Sequence, residues 1–573
     1  MPQDTTHTFE FGLVMAGAIS AGAYTAGVVD FLIEALDGWQ AAKDDPAKAV
    51  PRHAVKLRAM SGASAGAMTV AMAAAALYSE LSPVRDPENP PPPERNRLYD
   101  CWVRQIDITE LLSVADIART GRAISLLDST VLGKIGQLAL STRPNAAVRP
   151  YVGDPLAAFL TVANLRGVPY GFKLFGAETQ VFGLSNHMDD VRFAISPQRC
   201  EEVEGMDCLD PDALFDGSER RADWDRLALA ALASGAFPVG LQPRVIERPT
   251  TDYEPVAYGR IRDRPDWGAT PPGDRYTCLC VDGGLMNNEP LGLARAYLAG
   301  GADKRNPRDA TEASRAMILV DPFPNTADFD PDYKPNDDLI AVAGKMFGAL
   351  KSQARFAAED LELAADPKVF SRFAITPARY DAAGNAAEPA IASAVMGGFG
   401  GFFKEDFRRH DFHLGRRNCQ NFLARYFCLP ESNSLFDAVP QSVRDAWYVC
   451  ERDGSRKTIE VQKRDGAPGE METRPVLPII PLVKPVDAEI ASPTWPARPQ
   501  FPWPDLEARV ASRVDALGRT IIDTQLENVF GSAMRWALRS AWRLRLSRQV
   551  TQSLMRLIAE EMQMIDGGRA RSR

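Results

Sequence analysis

The 573-residue sequence predicts an α/β fold built on a mostly parallel central sheet, followed by a mainly helical C-terminal extension. Three observations carry this reading. Short apolar runs alternate with helical patterns from the N-terminus to about residue 325. A small-residue stretch, Ser61-Gly62-Ala63-Ser64-Ala65-Gly66, separates a strand-like run from an alanine- and methionine-rich helical run. The composition, 45% hydrophobic and 25% charged, is that of a globular chain with a sizeable core, over roughly two to four domains.

The elements follow in order. Residues 9–15 read as a strand and 23–36 as a helix. The turn between them, 16–22, is made of small residues except for Ile19. Such a turn can hold an anion or oxyanion on free N–H groups, but it lacks the spacing of a dinucleotide fingerprint. Residues 57–60 read as a strand running into the Ser64 turn, with a helix to residue 78. That helix is too short for a membrane span of roughly 20 apolar residues and is read as buried against the sheet. A proline run at 90–93 marks an exposed loop, and 98–145 read as helical and irregular. Strands are expected at 159–164, 180–184, 276–281 and 316–320, and helices at 224–234 and 291–298. A long amphipathic helix is expected over 337–365. Past Met396 glycine-rich, aromatic and basic stretches alternate, and 475–504, rich in proline, suits a linker or a wrapping arm. The division expected is a core over 9–325, its extension over 326–430, a polar then proline-rich arm over 431–504, and a basic helical region over 505–573.

Charge and cysteines narrow the function classes. A net charge of −9 argues against nucleic acid as partner. The eight cysteines form no CxxC or His/Cys cluster, so no metal is expected. Cys278 and Cys280 share one face of an apparent strand and are not expected to bond. Without a secretory signal pattern or a segment of transmembrane length, reduced thiols and a cytoplasmic location are expected. Residues 531–573 hold nine arginines against three acids, interspersed with Trp536, Trp542 and leucines. That composition suits peripheral contact with anionic lipid at the inner membrane surface or packing on the acidic body.

The chemistry centres on Ser64. Gly62-x-Ser64-x-Gly66 in a strand-to-helix context is a nucleophile elbow: the sharp turn lifts the hydroxyl above the sheet edge and points a helix N-terminus at it. A serine needs a base. Asp282 is the candidate, since it ends a predicted strand and is followed by Gly283 and Gly284, which let the backbone turn. In a parallel sheet that strand end gathers on the Ser64 edge. A carboxylate acting without histidine is expected to be poised by partial desolvation.

The small-residue opening turn, G-x-S-x-G and D-G-G, in that order, resemble the patatin-like phospholipase family. Leu13-Val14-Met15, Gly22-Ala23-Tyr24, Asn164-Leu165-Arg166-Gly167 and Ala233-Ser234-Gly235-Ala236-Phe237-Pro238 extend the resemblance. It covers residues 9 to about 325 and extends to about residue 423 within a bacterial-type subgroup. The resemblance implies a three-layer α/β/α fold and hydrolysis of phospholipid or other lipid esters without a cofactor. It implies Ser64 as nucleophile, Asp282 as base, and oxyanion-hole N–H groups from Gly17, Ala18 and Ile19. The family's turn carries a glycine triplet followed two residues later by arginine. Here two of those glycines and the arginine are absent, although Ala18 and Ile19 keep their N–H groups. Two other readings stand beside this one. Chain order allows a Ser64, Asp282 and His410 or His413 triad, although the elbow comes early and both histidines lie among arginines. The altered turn also fits a catalytically weakened lipid-binding protein on the same scaffold.

Overall fold

Strand β1 (Thr8–Met15) forms because alternate residues face opposite sides of a sheet and both sides are covered. Phe9, Phe11, Leu13 and Met15 enter one apolar core, while Val14 enters a second. The chain is described by a computed structural model over residues 7–145, 149–173, 181–197, 203–217, 219–261, 263–269, 271–324, 366, 368–380, 384–463, 469–497, 503–526 and 532–563, with isolated positions between 335 and 349. The helix expected over 337–365 lies almost entirely outside the described residues.

Helix α1 (Gly22–Asp44) follows β1, then β2 (Ala54–Gly62) and α2 (Ala65–Tyr78). Short helical turns lead through 93–120 to α3 (Thr130–Ala139). Next come β3 (Val152–Lys173), β4 (Val181–Ile195), β5 (Asp207–Leu209), α4 (Arg221–Ser234), β6 (Arg244–Pro249) and β7 (Arg275–Asp282). Helix α5 (Leu291–Ala299), β8 (Arg315–Val320) and β9 (Arg372–Ile375) complete the sheet region. Among the described residues the sheet has nine strands in the order β5-β4-β3-β2-β1-β8-β9, with β7 on β3 and β6 on β7. The central strands β3, β2, β1, β8 and β9 are mutually parallel. Helices α1, α2 and α4 cover one face and α5 the other, a three-layer α/β/α arrangement.

Strand β7 departs from the expectation of a parallel neighbour. It runs antiparallel to β3, which continues well past the end of β2. Gly62 of β2 pairs with Leu160, and Asp282 pairs with Val162, two residues further along β3. Asp282 therefore reaches the Ser64 edge from the solvent side. The residue pattern of a strand sets which face is buried, not the direction in which it runs.

Helix α6 (Glu405–Arg425) packs lengthwise on α1. It is followed by a small antiparallel sheet of β10 (Cys428–Pro430), β11 (Thr458–Gln462) and β12 (Met471–Pro478). The proline-rich stretch after β12 lies against the body: Ile479, Ile480, Val483 and Val486 are buried in the main core. The C-terminal region contributes α7 (Trp503–Thr520), α8 (Ser532–Ala541) and α9 (Ser547–Gln563).

Two expectations require correction. The segment Ile19–Asp44 is, by length and mean hydropathy of 1.4, apolar enough to cross a membrane, contrary to the expectation that no segment is. Its apolar stretch is 94% buried between the sheet and α6, as in a core helix. Cys208 is disulfide-bonded, so the expectation of reduced thiols fails there. Disulfides depend on spatial approach, which scattered spacing does not disclose. Cys278 and Cys280 are free thiols, their sulfurs 3.5 Å apart on one strand face as read from the sequence.

Candidate active site

Ser64 sits at the break between β2 and α2 with φ 53° and ψ −124°, a conformation costly for a residue with a side chain. The surrounding backbone holds it there. A methyl group on Gly66 would lie 2.0 Å from the Met15 carbonyl oxygen, and one on Gly62 would lie 2.6 Å from the backbone of residues 66 and 67. The elbow thus closes only with glycine at both positions. The Ser64 N–H donates to Ser234 Oγ at 2.9 Å.

Asp282 meets this serine directly. The Ser64 hydroxyl donates to Asp282 Oδ2 at 2.7 Å, and the Gly284 N–H donates to Oδ1, also at 2.7 Å. The Asp282 N–H donates to the Ala236 carbonyl at 2.9 Å. Gly283 lies against β3 so closely that a Cβ there would stand 2.2 Å from the Thr161 carbonyl oxygen. Both side chains are nearly covered, Ser64 8% exposed and Asp282 6%, so a small molecule reaches them through a cavity rather than across open surface.

That cavity is lined by Ser64 and Asp282 with Ile19, Phe237, Phe399 and Phe402 among its apolar walls. Phe399 packs edge-on against Phe237 and Phe402. The aromatic cluster at 399–403 is therefore in part a wall of the site. Trp102, Ile106, Leu127 and Leu132 line the same space, so the segment expected to be irregular helix covers the serine. A surface groove of about 650 Å³ lies elsewhere, at the far end of α2 among Asp37, Glu80 and Arg149.

The opening turn is arranged as follows. Gly17, Ala18 and Ile19 line a small space with Ser64, Asp282 and Asn288. The Gly17 N–H donates to the Asn288 carbonyl at 3.2 Å. Among the described residues the N–H groups of Ala18, Ile19 and Ala65 take part in no hydrogen bond. Ile19 has φ 49°, the left-handed side that a β-branched residue rarely adopts. The turn thus keeps a glycine-like conformation with isoleucine in place.

The histidines lie apart from this arrangement. Neither His410 nor His413 lines the Ser64 cavity. His410 Nδ1 bonds Asp411 Oδ1 at 2.9 Å, and Asp411 also accepts the N–H groups of Ala392 and Ser393. His413 is buried against Tyr99 and Phe412, and burial pulls its pKa down to about 4. Arg408 and Arg416 are buried with both histidines, Arg416 in ion pairs with Asp30 and Glu34.

Several residues that shape the site escaped the sequence reading. Ser234, Trp102 and Asn288 carried no individual signal, although Ser234 belongs to the Ala233–Pro238 stretch noted for its resemblance.

Comparison with known proteins agrees with this architecture. The sequence profile described as patatin-like phospholipase matches residues 13–295. A protein of Sinorhizobium fredii (strain NBRC 101917 / NGR234), described as uncharacterized protein y4iI, is 34% identical over 564 residues, covering 92% of this chain and 78% of its own length. The chain belongs to the patatin-like phospholipase family. Its fold is the patatin fold, and the family is one of lipid acyl hydrolases. Within this patatin-like domain the profile match spans the opening turn, the Ser64 elbow and Asp282, and ends within α5.

Proposed function

We propose that this patatin-like protein hydrolyses acyl esters of phospholipids or lysophospholipids with Ser64 and Asp282 as a catalytic dyad. The observation that carries the reading is the 2.7 Å hydrogen bond from the Ser64 hydroxyl to Asp282 Oδ2. Ser64 Oγ attacks the ester carbonyl carbon as its proton passes to Asp282. The negative charge that develops on the carbonyl oxygen is stabilised by N–H groups from Ala18, Ile19 and Ala65, aided by the N-terminal end of α2. Collapse expels the alcohol, which takes the proton from Asp282, and leaves an acyl-Ser64 ester. Water, deprotonated by Asp282, then releases the fatty acid. The Gly284 N–H on Oδ1 orients the carboxylate so that Oδ2 faces the serine.

The test is labelling by a fluorophosphonate probe together with fatty-acid release from mixed phospholipids. Ser64→Ala is expected to abolish both. Asp282→Asn keeps the shape but removes the base and is expected to lower both by roughly 10³-fold or more. A His410→Gln/His413→Gln variant is expected to keep most activity. Failure of folded wild-type protein to label would overturn the reading, and a collapse in the histidine variant would restore the triad. A contact of the C-terminal helices with anionic membrane belongs to the same proposal. It is supported by the exposure of Trp536, Leu546, Leu554 and Leu557 among arginines.

A further inference from the structure

Asn306, in the loop between α5 and β8, is only 6% exposed, yet neither its Oδ1 nor its Nδ2 has a hydrogen-bond partner. Buried amides are nearly always satisfied by protein, water or a bound ion. Asn306 lines a recess together with Arg295, Arg305, Arg308, Ser371 and Arg372. Four arginines thus surround one orphan amide, and among the described residues no carboxylate lines the space. The recess is small, about 20 Å³ against the 650 Å³ of the groove near Asp37, a size for one ionic group and not for a chain. Arg305 is exposed, which leaves the recess open to solvent.

The loop that carries these residues is held from three directions. Arg295 Nη1 donates to the Lys304 carbonyl at 3.0 Å, and the Phe370 N–H donates to the Arg308 carbonyl at 2.9 Å. Asn433 Nδ2 donates to the Ala310 and Ala313 carbonyls at 2.8 and 3.0 Å. Among the described residues the side chains of Arg305 and Arg308 make no ion pair. A cleft lined by one sign of charge concentrates ions of the other, and arginine grips phosphate oxygens with paired N–H donors. Asn306 adds a finer requirement: Nδ2 donates to an anionic oxygen, but Oδ1 needs a donor. A P–OH supplies one, as does a hydroxyl beside a phosphate ester. Sulfate supplies none.

The recess and the serine lie at opposite edges of the sheet. Met15 pairs with Gly62 and with Val320, the last residue of β8, so Ser64 sits past the strand ends. Asn306 instead precedes β8, and Ser371 and Arg372 stand at the start of β9. Reacting ligands of parallel α/β sheets bind past the carboxyl ends of the strands, which separates this recess from the substrate's place. We infer that the recess is a second binding site, for a phosphoryl group carried as hydrogenphosphate, as a small phosphate monoester or as a monoester lipid headgroup.

Calorimetric titration of the full chain with inorganic phosphate is expected to show one saturable site, with sulfate weaker by roughly tenfold or more. Arg305→Gln/Arg308→Gln is expected to weaken phosphate by a similar factor. Asn306→Asp keeps the shape but supplies the negative charge from within, and is expected to abolish binding. Two further probes separate the sources. Glycerol 3-phosphate that binds more tightly than phosphate identifies a soluble ester. Binding to vesicles of phosphatidylcholine and phosphatidic acid that falls in Arg305→Gln/Arg308→Gln identifies a lipid headgroup. The inference is overturned if folded wild-type protein binds neither phosphate nor glycerol 3-phosphate and its vesicle binding ignores the double substitution. Wild-type affinity in both folded variants would overturn it too, as would sulfate binding as tightly as phosphate. The titration does not depend on ester cleavage at Ser64, so the two readings stand or fall separately.

Discussion

Ile19 shows what the altered opening turn demands of a single residue. A β-branched side chain at φ 49° carries strain of about 1–3 kcal/mol, and the same residue lines the small space beside Ser64. Replacing a packed isoleucine with a smaller residue ordinarily destabilises by roughly 2–5 kcal/mol. At this position glycine removes the strain, while it loses the side chain's half-buried contacts and gains about 0.5–1 kcal/mol of unfolded-chain entropy. Ile19→Gly is therefore expected to change stability by less than about 1.5 kcal/mol, measured by urea unfolding. A loss above about 3 kcal/mol would show that the turn is relaxed with isoleucine in place. The residue scale is also where the sequence was most legible. Residue type and order were enough to bring Gly62, Ser64, Gly66, Asp282 and Gly284 to one place, where Ser64 and Gly284 meet the Asp282 carboxylate. Ser234 does not, because a buried serine that accepts one N–H resembles any other serine until its neighbour is known.

Helix α6 marks the limit of that legibility at the scale of elements. Strands β1 and β8 and helices α2, α4 and α5 were legible because period-2 and helical patterns are local. The stretch over 396–423 mixes glycine, aromatic and basic residues, and its partner is α1 near the other end of the chain. The meaning of its composition emerges only when the two meet. Gly27 abuts the Phe412 carbonyl and Gly415 the Tyr24 carbonyl, with a hypothetical Cβ at 1.9 and 2.1 Å. The helices thus touch backbone to backbone. That approach brings Arg416 onto Asp30 and onto Glu34 Oε2, the latter at 2.6 Å, all three buried. Gly415→Ala must push the helices apart, with an expected loss of about 1–3 kcal/mol or somewhat more. It also strains the buried ion pairs, which cannot relax to solvent. Thermal unfolding of Gly415→Ala would measure this. A midpoint unchanged from wild type would mean that the contact between α1 and α6 is looser than its geometry.

For the whole molecule the proposed contact with anionic lipid has to be squared with a net charge of −9. The mean charge repels it, so contact must be local. Helix α8 buries no residue among those described, and Trp536 on it is 70% exposed. Helix α9 anchors to the body through Ile558 and Met562 while Val550, Leu554 and Leu557 face outward. Among the described residues Arg539 pairs with Asp523, whereas Arg543, Arg545, Arg548 and Arg556 form no ion pair with the chain. The anchor matters for the site, because Ile558 and Met562 share a core with Ala392, Val395 and Phe403, beside the aromatic wall of the Ser64 cavity. Each arginine near an anionic surface contributes about 1 kcal/mol, and the attraction fades as salt shortens its reach. Sedimentation with phosphatidylserine-containing vesicles is expected to exceed that with neutral vesicles and to fall as salt rises. Arg543→Glu/Arg548→Glu/Arg556→Glu should lower the partition by roughly 10²-fold or more, and Trp536→Ala should weaken it at every salt concentration. Equal recovery on neutral and anionic vesicles would remove these helices as the contact. A partition that tracks both salt and the arginines would place the lipid-facing surface on the core that supports the aromatic wall of the serine cavity.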